Sequence, residues 1–490
     1  MAHYSMAHFY QLLTLAGILF YWVIIAGITV RIIIKRRSVG VSFAWMMVIY
    51  VIPIVGIFAY LLFGEQNIGR TRAQRAKDMY QPYADWFAHL YKIRQYRPNV
   101  LSSHAQSISA LCENQLGIPS LADNALELQS TPKQILNSLI KDIDRAKSTI
   151  HLEFYIWHPG GMADDVALAL INAAKRNVSV KLLLDSAGSN QFFRSQWPAI
   201  LEAEGIHIAR ALKVSPIRVL FRRMDLRMHR KIVVIDNSIA YTGSMNLVDP
   251  SCFKTNSGVG QWIDVMVRIK GTTVPLLNAI QSWDWEVETN QRLLPELPVC
   301  KPHTEPEKVD MVQVIPSGPG MPEEIIHEVL LQSIYQAEHK IVITTPYFVP
   351  SENLLVALIA ASHRGVCVNI IIPHKNDSVM VEWASRSFFC ELLSAGVKIH
   401  RFNGGLLHTK SVVIDESHCL IGTVNLDMRS LWLNFEVTLA VDDQNFTDQM
   451  NLLQQSYIDN AHLVDIEAWQ KRPVYKRVIE QFFYLFSPLL

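Results

Sequence analysis

The sequence predicts an α/β protein made of two homologous halves around one shared active site, preceded by a two-helix transmembrane hairpin. Three observations predict it. The pattern H-x-K-x4-D-x6-G-[ST]-x-N occurs twice; strand-like and helix-like segments alternate in the same order on either side of a proline-rich stretch; and two uncharged apolar runs stand near the N-terminal end. Length agrees, since 490 residues predict two or more domains. Half of the residues are apolar (50%) and only 18% are charged, so part of the apolar surplus is expected in lipid. A net charge of +1 gives no support for a globally basic protein that coats nucleic acid. The six cysteines are scattered without a C-x-x-C spacing and read as small buried apolar residues, not as zinc ligands or a redox pair.

The hairpin occupies residues 1–69, with spans at about 9–30 and 41–63. Each uncharged run is long enough, at ~1.5 Å per residue, to cross a hydrocarbon core of about 30 Å. No Lys or Arg precedes the first run and a second follows closely, which argues against a cleaved signal peptide. Pro53 is expected to kink the second helix without breaking it. Tyr21, Trp22, Trp45 and Tyr50 are read as belt or packing residues. The loop carries Arg31, Lys35, Arg36 and Arg37, and the segment after the second span carries Arg70, Arg72, Arg75 and Lys77, close to a tie by the positive-inside rule. Because the first helix usually dominates, the loop is assigned to the cytoplasm and the catalytic domain to the outside.

Residues 70–130 read as a connecting segment, 131–292 as the first half and 323–470 as the second. Between them, 293–322 holds seven prolines, a poor setting for a helix or a central strand. Thr149–Trp157 and Ile341–Val349 each read as a buried strand opening a half; a helix-like segment follows, then the strands Val178–Leu184 and Val366–Ile372. This alternation predicts a largely parallel sheet in each half. Phe154 matches Tyr347 at a separation of 193, Gly205 matches Gly396 at 191, and His229 matches His408 at 179. The first half has therefore gained twelve residues inside Leu212–Asp225, where Lys213, Arg218, Arg222 and Arg223 lie. With Arg227 and Arg230 these form a basic cluster, read as a contact for anionic headgroups. The last segment, 471–490, is basic and then strongly apolar. It is read as an interfacial foot on anionic lipid, against a tail packed on the core.

In each motif, His and Lys two apart on a β-rich segment share one face: His229 with Lys231, and His408 with Lys410. Ser244 and Asn246, or Thr423 and Asn425, share a face on the next strand. Imidazole, ammonium, hydroxyl and amide together suit a phosphodiester, with Lys and the neutral donors holding the nonbridging oxygens. Histidine can attack phosphorus or move a proton at neutral pH. Displacement through a covalent intermediate needs a nucleophile on one side and an acid, later a base, on the other; two half-sites facing each other supply both, at the interface of the halves and without a metal. Asp236 and Asp415, seven residues after their histidines, fall on the opposite face and read mainly as supports of the turn or partners of a basic side chain behind the site. Asp264 and Glu436, in the strands downstream of each motif, are the candidates to fix the histidine tautomers. His151, His158, His303, His363, His374, His400 and His418 follow no paired spacing and are not read as catalytic.

These residues carry the double signature of the phospholipase D superfamily. HRKIVVIDNSIAYTGSMN, HTKSVVIDESHCLIGTVNLDMRSLWLNFE, FYIWHPGGMAD, TTPYFVPS and the paired apolar runs resemble the bacterial cardiolipin synthases of the two-span type over essentially the whole chain. The resemblance implies two phospholipase D-like halves and a multi-pass enzyme of the bacterial inner membrane. Its expected partners are phosphatidylglycerol and anionic lipids, with no nucleic acid and no cofactor. Its reaction would join two phosphatidylglycerols into cardiolipin, releasing glycerol through a phosphatidyl-histidine. His229, Lys231, Asp236, His408, Lys410 and Asp415 fall on the family's catalytic motif positions; Thr423 stands where Ser is commoner and keeps the hydroxyl. By analogy with duplicated members, His229 is the expected nucleophile and His408 the acid and base. The alternative is a phospholipase D-type phosphodiesterase with water as acceptor.

Overall fold

A computed structural model describes residues 2–35, 39–65, 68–95, 102–213, 223, 225–297, 311–322 and 324–487. Arg36, Arg37, Arg218, Arg222, Leu489, Leu490 and the linker residues 298–310 lie outside them. The chain divides into two compact units, 1–69 with 214–225, and 70–213 with 226–490.

In the first unit, α1 (Ala2–Ile34) contains one continuous apolar helix, His8–Ile34, long enough to cross a membrane. The second apolar run is not one kinked helix. It forms α2 (Val39–Val51) and α3 (Pro53–Phe63), which meet at Ile52. The proline ring drives the preceding residue out of the helical region, and Ile52 sits at φ −132°, ψ 72°. The chain then doubles back: the rings of Trp45 and Tyr60, fifteen residues apart, lie 5.4 Å apart. Gly56 permits the close approach, since a Cβ there would meet the Val48 carbonyl oxygen at 2.7 Å. Arg31, near the end of α1, donates from Nε and Nη2 to the two carboxylate oxygens of Glu65, just past α3, at 2.5 and 2.8 Å. Two straight crossings would have put these residues on opposite sides of a bilayer. Ile25, Ile32, Ile49 and Tyr60 are buried among the three helices, with Tyr21 and Trp45 packed on them; Trp22 and Tyr50 stay exposed.

The second unit holds both halves. Its first half contains β1 (Asn124–Gln129), β2 (Thr149–Phe154), β3 (Ser179–Asp185), β4 (His207–Ala211), the two-residue β5 (Arg227–Met228), β6 (Ile232–Ile235), β7 (Ile239–Gly243), the two-residue β8 (Trp262–Ile263) and β9 (Met266–Gly271). The second contains β10 (Met311–Ser317), β11 (Lys340–Thr344), β12 (Cys367–Pro373), β13 (Lys398–Phe402), the two-residue β14 (Leu406–Leu407), β15 (Ser411–Ile414), β16 (His418–Gly422), β17 (Asn434–Asp442) and β18 (Ala461–Leu463). Among the described residues the first sheet runs β1-β9-β7-β6-β2-β3-β4 and the second β10-β17-β16-β15-β11-β12-β13-β18.

The sheets are mixed, not largely parallel. Only β2-β3-β4 and β11-β12-β13 pair in parallel through helical crossovers; the motif strands are joined by tight turns, which allow only antiparallel pairing. Alternation along β6 builds two cores. Val233 and Ile235 face the helices of their own half, while Ile232 and Val234 enter an apolar layer shared with Val413, Ile421, Val437 and Leu439 of the second sheet. The halves are thus welded through the motif strands.

Several boundaries move. The first sheet begins at β1, inside the expected connecting segment, and Ile108 and Cys112 of that segment belong to the second half's core. The proline-rich linker contributes β10, which tolerates Pro316 because it lies at the end of its sheet. Register pairs Ile150 with Ile235 and Ile341 with Ile414, so the opening strands align at a separation of 191 and Tyr347 corresponds to Ile156, not Phe154. The gain of twelve residues stands. The basic cluster is less exposed than expected: Arg223 is buried against Asp225, and Arg230 is fully buried with Asp284.

Candidate active site

His229 lies between β5 and β6, and β5 leaves its own half to pair in parallel with β17. The His229 backbone N–H donates to the Phe435 carbonyl at 2.9 Å. The second half does the same in reverse: β14 pairs with β8, and the His408 N–H donates to the Ile263 carbonyl at 2.8 Å. Each histidine is therefore carried to the carboxylate of the other half. His229 donates from Nδ1 to Glu436 Oε2 at 2.8 Å, and His408 from Nδ1 to Asp264 Oδ1 at 2.7 Å. Sequence order attaches each carboxylate to the histidine just upstream of it; the folded chain exchanges them.

Burial is the largest influence on both imidazoles and, against the pull of the facing carboxylates, brings them down to about 4, so both are neutral at pH 7. With the Nδ1 proton turned to a carboxylate, the Nε2 lone pair is left for chemistry. Burial also works to raise Asp264 and Glu436, but the histidine and lysine beside each outweigh it and hold both below the usual range. Lys231 Nζ donates to the His229 carbonyl at 2.7 Å, and Lys410 Nζ to the His408 carbonyl at 2.6 Å. Burial lowers these ammoniums to about 8 and about 7. The site thus holds two carboxylates, two easily deprotonated ammoniums and two neutral imidazoles.

The hydroxyls are already engaged. Ser244 Oγ donates to Asp264 at 2.6 Å, and Thr423 Oγ1 accepts from the Val437 N–H at 2.9 Å beside Glu436. Asn246 Oδ1 accepts from the Ile156 N–H at 3.1 Å, while its buried Nδ2 has no partner among the described residues and remains free to donate to a ligand. Buried Asn425 likewise leaves Oδ1 without a partner there. Asp236 and Asp415 stand at the far ends of β6 and β15, apart from the histidines. Asp236 accepts the N–H groups of Lys147, Ser148 and Thr149 at 2.7–3.0 Å, and Asp415 those of Glu338, His339 and Lys340 at 2.7–2.8 Å. Their place in the family's catalytic motif corresponds here to anchoring the chain that enters β2 and β11.

Other residues stand at the site in places that the sequence reading did not assign to it. The ring of Tyr155 lies 5.0 Å from His229, and that of Trp262 lies 4.2 Å from His408. Trp262 could have been found, because it shares a strand face with Asp264 two residues on. Arg230 donates to the carbonyls of Glu436 at 2.9 Å and Ser317 at 3.2 Å and pairs with Asp284, beside the buried Glu153. Lys254 and Tyr347 both bond Asp377, at 2.9 and 2.8 Å. No short-range spacing links these residues.

Comparison with known proteins gives the family and the fold. The family model described as "Cardiolipin synthase, PLD-like domain" matches residues 139–272 and 330–455, and a "Phospholipase_D-nuclease N-terminal" model matches 18–65. Proteins named Cardiolipin synthase A from Edwardsiella ictaluri and Yersinia pseudotuberculosis are each 51% identical over 99% of this chain and 100% of theirs. The crystal structure of phosphatidylserine synthase from Haemophilus influenzae, 16% identical, shares the fold, with a TM-score of 0.57 over 78% of this chain and 97% of that one. Two phospholipase D-like halves, each lending its histidine to the other's carboxylate, and full-length relatives at this identity make the chain a member of the bacterial cardiolipin synthase family of the phospholipase D superfamily.

Proposed function

We propose that the protein joins two phosphatidylglycerols into cardiolipin with release of glycerol. The observation that carries this reading is the exchanged pair of neutral, carboxylate-bound imidazoles, each with a buried lysine, in one interface. His408 takes up a second proton, on Nε2, as the phosphate anion of the first lipid binds, with Asp264 on Nδ1 compensating the charge. His229 Nε2 then attacks the phosphorus, and the bond to the glycerol oxygen breaks as His408 delivers its Nε2 proton to it. His408 then takes the proton from a glycerol hydroxyl of the second lipid, whose oxygen displaces His229. Lys231, Lys410 and the free amide hydrogens of Asn246 hold the nonbridging oxygens as charge builds. Ser244 and Thr423 act at one remove, positioning Asp264 and Glu436. Incubating purified protein with labelled phosphatidylglycerol tests this; cardiolipin and glycerol are expected in equal amounts, and phosphatidic acid without cardiolipin would return the hydrolase.

The protein is membrane-associated, as its family and its apolar N-terminal helix indicate. We infer that it is integral to the bacterial inner membrane, crossing through α1, with α2 and α3 as a re-entrant pair. Each of these is too short, at about 20 Å and about 16 Å, to cross alone. The Arg31–Glu65 pair supports entry and exit on one face. Both basic clusters, Arg31 with Lys35 and Arg70 with Lys77, then lie on one side, the cytoplasm by the positive-inside rule. This reading is the opposite of the external assignment made from the sequence. Cysteines placed at Ala2 and at Arg70 should be labelled from opposite sides of intact cells; labelling of both from outside would return two crossings.

A further inference from the structure

We propose that helices Val379–Ser387 and Val474–Tyr484 form a rigid platform that seats on an anionic bilayer beside the His408 side of the active site. This rests on the reading of the substrate as a membrane phospholipid. The C-terminal helix is not a loose tail. Its inner face is fixed by Phe483 and Tyr484 against the second half's core, by the ring of Tyr484 at 5.5 Å from Phe388, and by the pairing of Glu480 with Arg472. Its outer face is apolar and uncovered: Val474 is 72%, Val478 62% and Leu485 72% exposed. The helix Val379–Ser387 packs beside it and adds Val379, 64% exposed, and Met380.

Water is a poor partner for such a surface on a fixed helix. The flanking charges choose the occupant. Among the described residues Lys476 has no ion-pair partner, and Arg477 donates to the Gln470 carbonyl and shares Glu480, without a direct bond, with the Arg472 that pairs it. Two acids of the same region are already neutralised, Glu467 by Lys471 and Glu382 by Arg386. An apolar stripe bordered by Lys476 and Arg477 fits headgroups and acyl chains of an anionic leaflet.

The platform also leads into the site. Ser378 caps the helix Val379–Ser387, and Asp377 just before it holds Tyr347 and Lys254. The Lys254 ammonium lies 5.1 Å over the Trp262 ring, which lies 4.2 Å from the His408 ring. A lipid leaving the bilayer at this face therefore meets Lys254 and Asp377 before it reaches His408.

To test this, an environment-sensitive fluorescent amino acid would be placed at Val478, at Val379, and at exposed Leu168 in the first half as control. The full-length protein would carry it in phosphatidylglycerol–phosphatidylcholine nanodiscs. Emission at 478 and 379 should shift to the blue and be quenched by lipids brominated on their acyl chains, while 168 is quenched by iodide from water. Iodide quenching at 478 equal to that at 168 overturns the proposal. As a second arm, Val478→Asp with Leu485→Asp should raise KM for bilayer phosphatidylglycerol about tenfold. Turnover of a monomeric short-chain phosphatidylglycerol should stay within about twofold, which also reports an intact fold. An unchanged bilayer KM overturns the platform. Failure to form cardiolipin would sink the transferase reading while leaving the quenching result standing.

Discussion

His229 is bonded to Glu436, a residue 207 positions away in the other half, at 2.8 Å, and His408 is bonded to Asp264 in the mirrored sense at 2.7 Å. Neither half can therefore assemble a working histidine alone. Glu436→Gln and Asp264→Asn should each lower kcat by about 10^2- to 10^4-fold, since the amide no longer selects the tautomer with a free Nε2. The two should differ in kind: rapid quenching with labelled lipid should find less protein-bound phosphatidyl group in Glu436→Gln. A kcat within about threefold of wild type in either variant would refute the positioning role.

The pH profile follows from the buried lysines. Each ammonium is lost as pH rises through its lowered value, about 7 for Lys410 and about 8 for Lys231, so kcat/KM should fall on the alkaline side between these values. On the acid side it should fall as the attacking imidazole, His229, protonates near about 4. A bound phosphate anion favours the charged lysines, so the alkaline limb of kcat should lie at higher pH than that of kcat/KM. A flat kcat/KM from about pH 6 to about pH 9 would contradict this.

Arg230 joins the halves by holding two carbonyls of the second, one of them that of Glu436. Arg230→Met alone leaves Asp284 buried and unpaired and should cost about 3–5 kcal/mol of stability. Adding Asp284→Leu should restore most of the melting temperature but not the activity, because the Glu436 backbone still lacks its donor. Full recovery of kcat in the double variant would show that the pair serves stability alone.

Asp236 and Asp415 should behave as structural residues. Asp236→Ala removes the acceptor of three backbone N–H groups and should cost about 1–3 kcal/mol. At a temperature where the variant stays folded, kcat should remain within about threefold and the pH profile unchanged. A folded variant with kcat reduced about a hundredfold would restore Asp236 to the chemistry.

Much of the site was legible because its residues recur at fixed short spacings. His229 with Lys231 and Ser244 with Asn246 follow from strand periodicity, and the repeat at 179 marks their partners. What was not legible depends on pairings between distant segments. That β5 and β14 cross to the opposite half is a property of two sheets sharing the layer of Val234, Val413 and Val437. The same holds for Arg230, which looked like one member of a surface cluster and is fully buried.

The sequence alone determined the duplication, the α/β composition of each half, the chemistry of the imidazole and ammonium groups and the apolar N-terminal region, because each is written in local order and residue type. Tertiary structure decided three matters that local order does not encode. It exchanged the carboxylates between the histidines, since the histidine segments pair with strands of the opposite half. It turned the second apolar run back at Ile52, since Pro53 excludes helical backbone there and Gly56 lets α3 lie against α2. It divided the C-terminal helix into a buried and an uncovered face, since only packing against the second half's core selects which side remains outside.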